Sequence, residues 1–176
     1  MNPVMPGRYT AQIDGPFVVF LIGMRVNRIT AVRKWWPAST AMPRMLEALY
    51  VHPEKGFLGG EMFFRFGPLT TLLMSYWRDF EALERFARDP ADPHLPAWRA
   101  FNQAVGGDGS VGVWHETYLV PAGGYECVYA NMPVFGLAAA TRHVPASGRR
   151  ETARRRLGGQ NEPAVPTPPA GAPVEP

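Results

Sequence analysis

Residues 56–77 read GFLGGEMFFRFGPLTTLLMSYW, two runs of β-favouring residues on either side of Gly67-Pro68. Aromatic and aliphatic side chains dominate both runs, and a Gly-Pro pair between them is typical of a turn. A connection this short joins antiparallel strands, because parallel strands need a crossover of a dozen or more residues. The stretch therefore predicts a β-hairpin, and the glycines of its first run indicate a bulge or a close approach of the backbone.

A strand and a helix are predicted before this hairpin. Residues 17–27 begin FVVFLIGM, and such a run is typical of a strand that is covered on both faces and central in its sheet. Residues 42–50 then repeat apolar side chains at helical spacing. Ser39 or Thr40 can cap this helix, and Pro43 fits its first turn, where a missing N–H costs nothing. The pattern predicts a helix that packs on the sheet.

A second helical region and another pair of β-rich runs follow the hairpin. Asp79 can cap a helix with one apolar face, and residues 95–105 predict a further helical piece. Residues 111–120 and 125–132 are β-rich and joined by Pro-Ala-Gly-Gly, which predicts a second hairpin. The order is β-α-β-β-α-β with one extra strand. This order predicts an α+β fold of the ferredoxin-like, split βαβ type with an antiparallel sheet.

The chain of 176 residues is long enough for one domain with a real core. We expect the domain to cover residues 1–143, where the apolar periodicity holds, and residues 144–176 to form a disordered tail rich in Arg and Pro. Five arginines against three glutamates place +2 of the net charge of +3 in this tail. The folded part is nearly neutral, so we expect no nucleic-acid partner.

Cysteine content and the length of the apolar run bear on location. A single cysteine, Cys127, excludes an internal disulfide and a multi-cysteine metal site, so that no oxidising compartment is needed. Residues 17–24 are far shorter than the roughly 20 apolar residues that span a membrane, and Arg25 closes the run. We therefore expect a cytoplasmic protein with no membrane partner.

Three strings carry a resemblance to a known superfamily. They are PRMLEALYVHPEKGFLG, SYWRDFEALERFARDP and VGVWHETYLVPAGGYECVYANMP, the last followed by FGLA. Together with the order of elements, they resemble the dimeric α/β-barrel superfamily, and more narrowly the branch grouped with a fungal monooxygenase of the fumagillin pathway. That branch is also similar in fold to the haem-containing aldoxime dehydratases. The resemblance covers residues 8–143.

The resemblance implies a homodimer whose two sheets form a barrel, with a pocket between helices and sheet for a small hydrophobic molecule. Members of the superfamily include cofactor-free monooxygenases of polyketide and quinone type, haem degraders and haem-dependent dehydratases. We therefore expect a monooxygenase-like enzyme that oxidises a small apolar aromatic, polyketide- or terpenoid-like compound without cofactor or metal. A haem-dependent enzyme of the same fold and a non-catalytic protein that binds a hydrophobic ligand are the alternatives.

The string WHETY, residues 114–118, is the most polar stretch on any predicted strand. Alternation along a strand sends His115 to one face and Glu116 with Tyr118 to the other. Buried polar side chains are costly unless they are hydrogen-bonded, so these residues need a role or a partner. His115 is a candidate general base or haem ligand. A hydrogen-bonded core or interface histidine is the alternative.

The second arm of the predicted hairpin supplies possible partners for His115. The Pro-Ala-Gly-Gly turn sets a register that brings Tyr129 roughly across from His115, with Asn131 two residues further. These three residues are the predicted catalytic cluster, in which a base takes a proton and donors hold an ionised phenol or enolate. A substrate carbanion can then reduce dioxygen directly. Glu126, on the same arm, fits a cross-strand polar ladder at least as well.

Other side chains are candidates for the pocket walls or for a cofactor. Arg25 is the only charge on the first predicted strand and could bind a carboxylate or a haem propionate. His94 matches the ligating histidine of haem-binding relatives only loosely, and an exposed or capping histidine is the alternative. His52 and His143 look like surface residues. The predicted substrate-binding residues are Trp77, Tyr76, Arg25, Glu116, Tyr118 and Glu126, with His94 binding a cofactor only if that cofactor is haem.

Overall fold

A computed structural model describes residues 3–91 and 94–165 of the chain. The chain divides into two compact units, one made of residues 18–118 and the other of the segments before and after them. The α+β class is confirmed. The elements in chain order are β1 (Met5–Gln12), β2 (Phe17–Val26), α1 (Val32–Val51), β3 (Phe57–Phe66), β4 (Leu69–Trp77), α2 (Phe80–Arg88), α3 (His94–Val105), β5 (Val111–Val120), β6 (Tyr129–Met132), α4 (Leu137–Ala140), β7 (Arg142–Pro145) and α5 (Ala153–Arg156).

The sheet of the first unit has the strand order β3-β4-β2-β5, with β2 inside. This is the ferredoxin-like order, and β4 runs antiparallel to both of its neighbours. The register of the β3–β4 pair shifts between Phe57 and Gly59, within the glycine-containing run where a bulge was predicted. The predicted hairpin and the predicted central strand are confirmed.

Helices α1, α2 and α3 pack on one face of this sheet. One buried cluster joins Met45 and Leu49 of α1 with Leu83 of α2 and with Val18 and Trp77 of the sheet. A second buried cluster joins the other end of α1 with α3 and with strands β2 and β5. Asp79 caps α2 as predicted, since its Oδ1 accepts a hydrogen bond of 2.6 Å from the Ala82 N–H. Among the described residues, no helix combines the length and hydropathy needed to cross a lipid bilayer.

Helix α1 begins earlier than its predicted cap. It starts at Val32, and the two predicted cap residues lie inside it. The Ser39 hydroxyl donates to the Trp35 carbonyl at 3.0 Å, and the Thr40 hydroxyl donates to the Trp36 carbonyl at 3.2 Å. A hydroxyl that could have accepted from a first-turn N–H therefore donates back along the helix instead.

The second unit contains a three-stranded sheet in the order β6-β1-β7, with β1 antiparallel to both neighbours. The predicted hairpin of β5 with the following run is wrong, because β6 pairs with β1 and places Tyr129 opposite Tyr9. The segment before β6 is bound to β1 by side chains: the Thr10 hydroxyl donates to the Cys127 carbonyl at 2.8 Å, and the Ile13 N–H donates to the Tyr125 hydroxyl at 3.0 Å. These side-chain hydrogen bonds hold the segment in place, instead of the backbone hydrogen bonds that a hairpin with β5 would have formed.

Regular structure extends beyond His143, into the segment expected to be disordered. Strand β7 pairs with β1 from Tyr9↔Pro145 to Gln12↔Arg142, and Ala146 is buried. Further along, α5 is held by an ion pair between Arg156 and Glu126. Composition does not reveal these contacts, because they come from strand pairing and paired charges rather than from an apolar stripe. Residues 166–176, the last part of the expected tail, lie outside the described residues.

Candidate functional site

His115 lies on the helix-facing side of the first unit's sheet. Val111 and Val113 of β5 belong to the cluster packed under the helices, and alternation places His115 on their face. Its imidazole lies against the ring of Phe20, with a centroid distance of 5.7 Å. Phe20 in turn packs against the buried cluster that contains Trp77. His115 itself is exposed, so a base at this position borders an apolar wall and is open to a ligand.

Trp77 and Tyr76 are buried in the first unit. Trp77 is 2% exposed, its ring contacts Phe86, and its indole N–H donates to the Ser75 hydroxyl at 3.1 Å. Tyr76 is 7% exposed, and its hydroxyl donates to the Met74 sulfur at 3.6 Å. Both side chains are buried, but alternation places Trp77 under the helices and Tyr76 on the opposite face of the sheet. Their role in substrate binding stays a prediction.

The face of the sheet opposite the helices, called the open face below, carries Trp114, Glu116 and Tyr118. A Cβ atom on Gly23 would lie 2.5 Å from the Trp114 indole nitrogen, so the ring can lie over β2 only because that residue is glycine. The Tyr118 hydroxyl donates to the Glu116 carboxylate at 2.5 Å. This hydrogen bond and the adjacent negative charge raise the pKa of Tyr118. His115 and Glu116 therefore lie on opposite faces of the sheet, as alternation predicts.

Arg25 lies on the open face as well, because its neighbours Met24 and Val26 belong to the cluster under the helices. Arg25 is exposed, while His115 is on the helix-facing side. The two residues do not fit a haem that takes His115 on iron and Arg25 on a propionate, since the sheet of one subunit separates them. His94 begins α3, and its side chain lies outside the described residues. Its role stays a prediction.

Tyr129 and Asn131 belong to the second unit, on β6. The Tyr129 hydroxyl accepts a hydrogen bond of 3.4 Å from the Ala138 N–H. The Asn131 side-chain oxygen accepts one of 2.9 Å from the Gly7 N–H, and Asn131 has a φ of 53°. Both side chains therefore bind backbone groups of their own unit. The register that placed Tyr129 across from His115 is wrong, while the catalytic roles of Tyr129 and Asn131 stay predictions.

His143 is the polar residue whose environment the sequence pattern missed. Its Nε2 atom is buried and has no hydrogen-bond partner among the described residues. The imidazole stacks on Tyr9 at a centroid distance of 4.3 Å and meets the edge of Tyr129 at 6.5 Å. This burial lowers the pKa of His143. Strand β7 is four residues long, which is too short for its alternation to stand out in the sequence.

Glu126 and Cys127 have structural partners. Glu126 forms its ion pair with Arg156, whose Nε donates to Oε1 at 2.8 Å, rather than belonging to a cross-strand ladder. The Cys127 sulfur accepts a hydrogen bond of 3.4 Å from the Ala11 N–H. Within residues 3–91 and 94–165, no three His, Cys, Asp or Glu side chains lie close enough together to hold a metal ion.

The sheet, the helices and His115 all fall within a region shared with a known family. Residues 17–137 match the family model described as monooxygenase af470-like. The chain belongs to this family. The resemblance seen in the sequence is therefore confirmed, and the matched region extends from β2 of the first unit to the start of α4 in the second.

One curated relative in the af470-like family is the monooxygenase af470 of Aspergillus fumigatus. It is 29% identical to this chain over 152 residues, which cover 74% of this chain and 53% of that protein. This chain therefore spans about half the length of the relative that it matches.

Two solved structures match this chain to different degrees. An aldoxime dehydratase, OxdRE, in complex with butyraldoxime matches with a TM-score of 0.59 and 17% identity, over 76% of this chain and 39% of that one. The cofactor-independent oxygenase SnoaB from Streptomyces nogalater matches with a TM-score of 0.42 and 16% identity, over 58% of this chain and 90% of that one. The first likeness shows a shared fold.

Proposed function

We propose that this protein is a monooxygenase-like enzyme that oxidises a small apolar aromatic, polyketide- or terpenoid-like compound without a metal. The observation that carries the proposal is the position of His115 inside the family-matched region, exposed and against Phe20. Histidine is the side chain that most often acts as a general base. The apolar ring beside it suits a flat, hydrophobic substrate.

The proposed chemistry needs only a base and an apolar surface for the substrate. His115 takes a proton from an activated CH₂ group of the substrate, and the carbanion transfers an electron to dioxygen. Recombination forms a C–O bond and a hydroperoxide, which loses water to leave a carbonyl. One CH₂ group and one O₂ thus become one C=O and one H₂O. The protein's part is to hold the base and the substrate in contact.

A haem-dependent enzyme of the same fold is the second candidate, and the likeness in fold to an aldoxime dehydratase favours it. Haem would supply an iron centre for dehydration or oxygen chemistry. The arrangement with His115 on iron and Arg25 on a propionate does not fit one subunit, because the two residues lie on opposite faces of the sheet. The metal-free reaction therefore has the better support.

Oxygen uptake with a polycyclic anthrone tests the proposal. We expect the wild type to consume one O₂ per substrate and to keep its rate after dialysis against a chelator. Replacement of the base, His115→Ala, should lower kcat by about 10²-fold or more while the substrate still binds. The matched control is His52→Ala, which removes an exposed histidine whose Nδ1 lies 2.9 Å from Glu54, and it should leave kcat unchanged.

Two results would contradict the metal-free reaction. A Soret band in the freshly purified protein would indicate the haem enzyme. Tight binding of apolar aromatics without turnover of any anthrone or hydroquinone by the wild type would indicate a carrier of hydrophobic ligands.

A further inference from the structure

The second unit contains a groove of about 240 Å³ that the proposed oxidation does not use. It lies where the end of β1 meets residues 123–126 and the basic segment around α5. Its walls are polar, and its volume is below the roughly 300–1,000 Å³ of sites for drug-sized molecules. The side chains that matter below are Gln12, Tyr125, Glu126, Arg150 and Arg156.

One wall of the groove is a closed ion pair. Arg156 donates through Nε and Nη2 to a single oxygen of Glu126. Its Nη1 donates to the carbonyls of Arg150, at 2.6 Å, and Glu151, at 3.1 Å. The Arg156 side chain is only 6% exposed. This guanidinium is therefore fixed and its charge is balanced, so the wall is rigid and electrically neutral.

Arg150 supplies the charge that remains in the groove. Its guanidinium makes two long hydrogen bonds, from Nε to the Pro145 carbonyl and from Nη1 to the Gln12 side-chain oxygen, both at 3.4 Å. Within the described part of the chain, no carboxylate forms an ion pair with Arg150, whereas Arg142 pairs with Asp14. The groove thus holds one unbalanced positive charge whose present partners are neutral oxygens.

Two neutral donors lie beside this charge. The Tyr125 hydroxyl accepts from the Ile13 N–H at 3.0 Å, which leaves its own proton for another acceptor. The Gln12 amide accepts from Arg150 through its oxygen, which leaves its NH₂ group as a donor. A guanidinium fork with a phenol and an amide donor is a donor set that matches the two oxygens of a carboxylate.

We propose that this groove binds a small monocarboxylate, held by Arg150 with the Tyr125 hydroxyl and the Gln12 amide as further donors. The wall formed by Glu126 and Arg156 is neutral, so it offers no positive charge for a second negative charge on the ligand. A monoanion balances the charge of Arg150, whereas a dianion such as doubly charged phosphate would keep one unbalanced negative charge. The site is separate from His115 and does not depend on the oxidation.

Calorimetric titration of the full chain with benzoate, at low ionic strength of about 20 mM, tests the site. We expect benzoate to bind with a millimolar Kd and to raise the midpoint of thermal unfolding. Arg150→Ala should weaken binding at least about tenfold, and Arg150→Lys should give an intermediate loss because the fork is replaced by a point charge. The control is Arg149→Ala, which removes the same charge from the exposed neighbour outside the groove and should leave the Kd unchanged.

Three results would overturn the proposal. They are no benzoate binding by the wild type, equal losses in the Arg149 and Arg150 variants, and tighter binding of inorganic phosphate than of benzoate. A circular dichroism spectrum shows whether each variant is folded. If Arg150→Ala does not fold, the Arg150→Lys and Arg149→Ala variants still separate a fork-specific site from a general effect of charge.

Discussion

Two histidines, His115 and His143, lie in environments that the sequence does not distinguish. His115, on a polar stretch of β5, lies exposed against Phe20. His143, which follows an arginine at the start of the expected tail, carries a buried Nε2 with no partner among the described residues. A buried polar group without a hydrogen bond costs about 1–3 kcal/mol. Stacking on Tyr9 offsets part of that cost.

We expect the free energy of unfolding to fall as the pH is lowered through the histidine range. Burial lowers the folded-state pKa of His143 below its usual 6.5, so the unfolded chain binds a proton that the folded chain does not. The contribution is fully present above about pH 6.5 and is lost as the pH falls towards the folded-state pKa. Urea unfolding at about pH 7.5 and about pH 5.5 measures it.

The variant His143→Phe keeps an aromatic ring that stacks on Tyr9 and removes the titratable imidazole. Its stability should change less between the two pH values than that of the wild type. The exposed histidine gives the control, because His52→Phe should keep the wild-type dependence. If His143→Phe kept the wild-type pH dependence of its unfolding free energy, His143 would not be the source of that dependence.

Among the strands and helices, the sequence pattern correctly predicted those features that are stabilised by interactions between residues close together in the chain. The β3–β4 hairpin and the Asp79 cap of α2 depend on neighbours a few residues away, and both were predicted. The face of β5 that carries His115 also followed from alternation. Strand β1 was missed, because its partners β6 and β7 lie more than 100 residues further along. The partner of Tyr129 was missed for the same reason.

The Trp114 indole of β5 lies over Gly23 of β2, and we expect any side chain at position 23 to destabilise the protein. In Gly23→Ala the new methyl would lie 2.5 Å from the indole nitrogen and 2.9 Å from the Thr71 carbonyl oxygen, which is backbone and cannot rotate away. We expect a loss of stability of about 1–3 kcal/mol, typical of overpacking. Urea unfolding followed by tryptophan fluorescence measures it.

Gly112→Ala is the matched control for this substitution. Gly112 lies on β5, two residues before Trp114, and its added methyl would meet only the Asn27 side chain, at 3.6 Å, an ordinary contact. We expect a change within about 0.5 kcal/mol. Equal losses in the two variants would show that the indole does not lie over β2 in solution.

At the scale of the whole molecule, the open face is where a second copy would bind. Phe63, Trp114 and Tyr118 are 40%, 38% and 51% exposed. Between them lie half-buried apolar side chains of the two inner strands, Leu21, Leu72 and Met74. Contiguous exposed apolar surface of this kind marks an interaction site. We propose that the sheets of two copies pack here, as the resemblance to dimeric α/β barrels implies.

Light scattering after size exclusion should give a mass about twice the 19.5 kDa of one chain. Phe63→Glu places a charge on the open face and should give the monomer. Phe66→Glu is the control, since Phe66 is 87% exposed and lies on the other face of the same strand, so this variant should keep the dimer. A monomeric wild type would contradict the proposed dimer, and loss of the dimer in both variants would contradict this interface.

The position of β1 between β6 and β7 has a consequence for synthesis of the chain on the ribosome. Residues 18–118 are contiguous and can fold as they emerge. Strand β1 leaves the ribosome before these residues, yet both of its partners are made more than 100 residues later. At roughly 5–20 residues per second, it waits on the order of ten seconds with open hydrogen-bonding edges. Such edges can pair with other chains, so the nascent chain is open to association until β6 and β7 have been made.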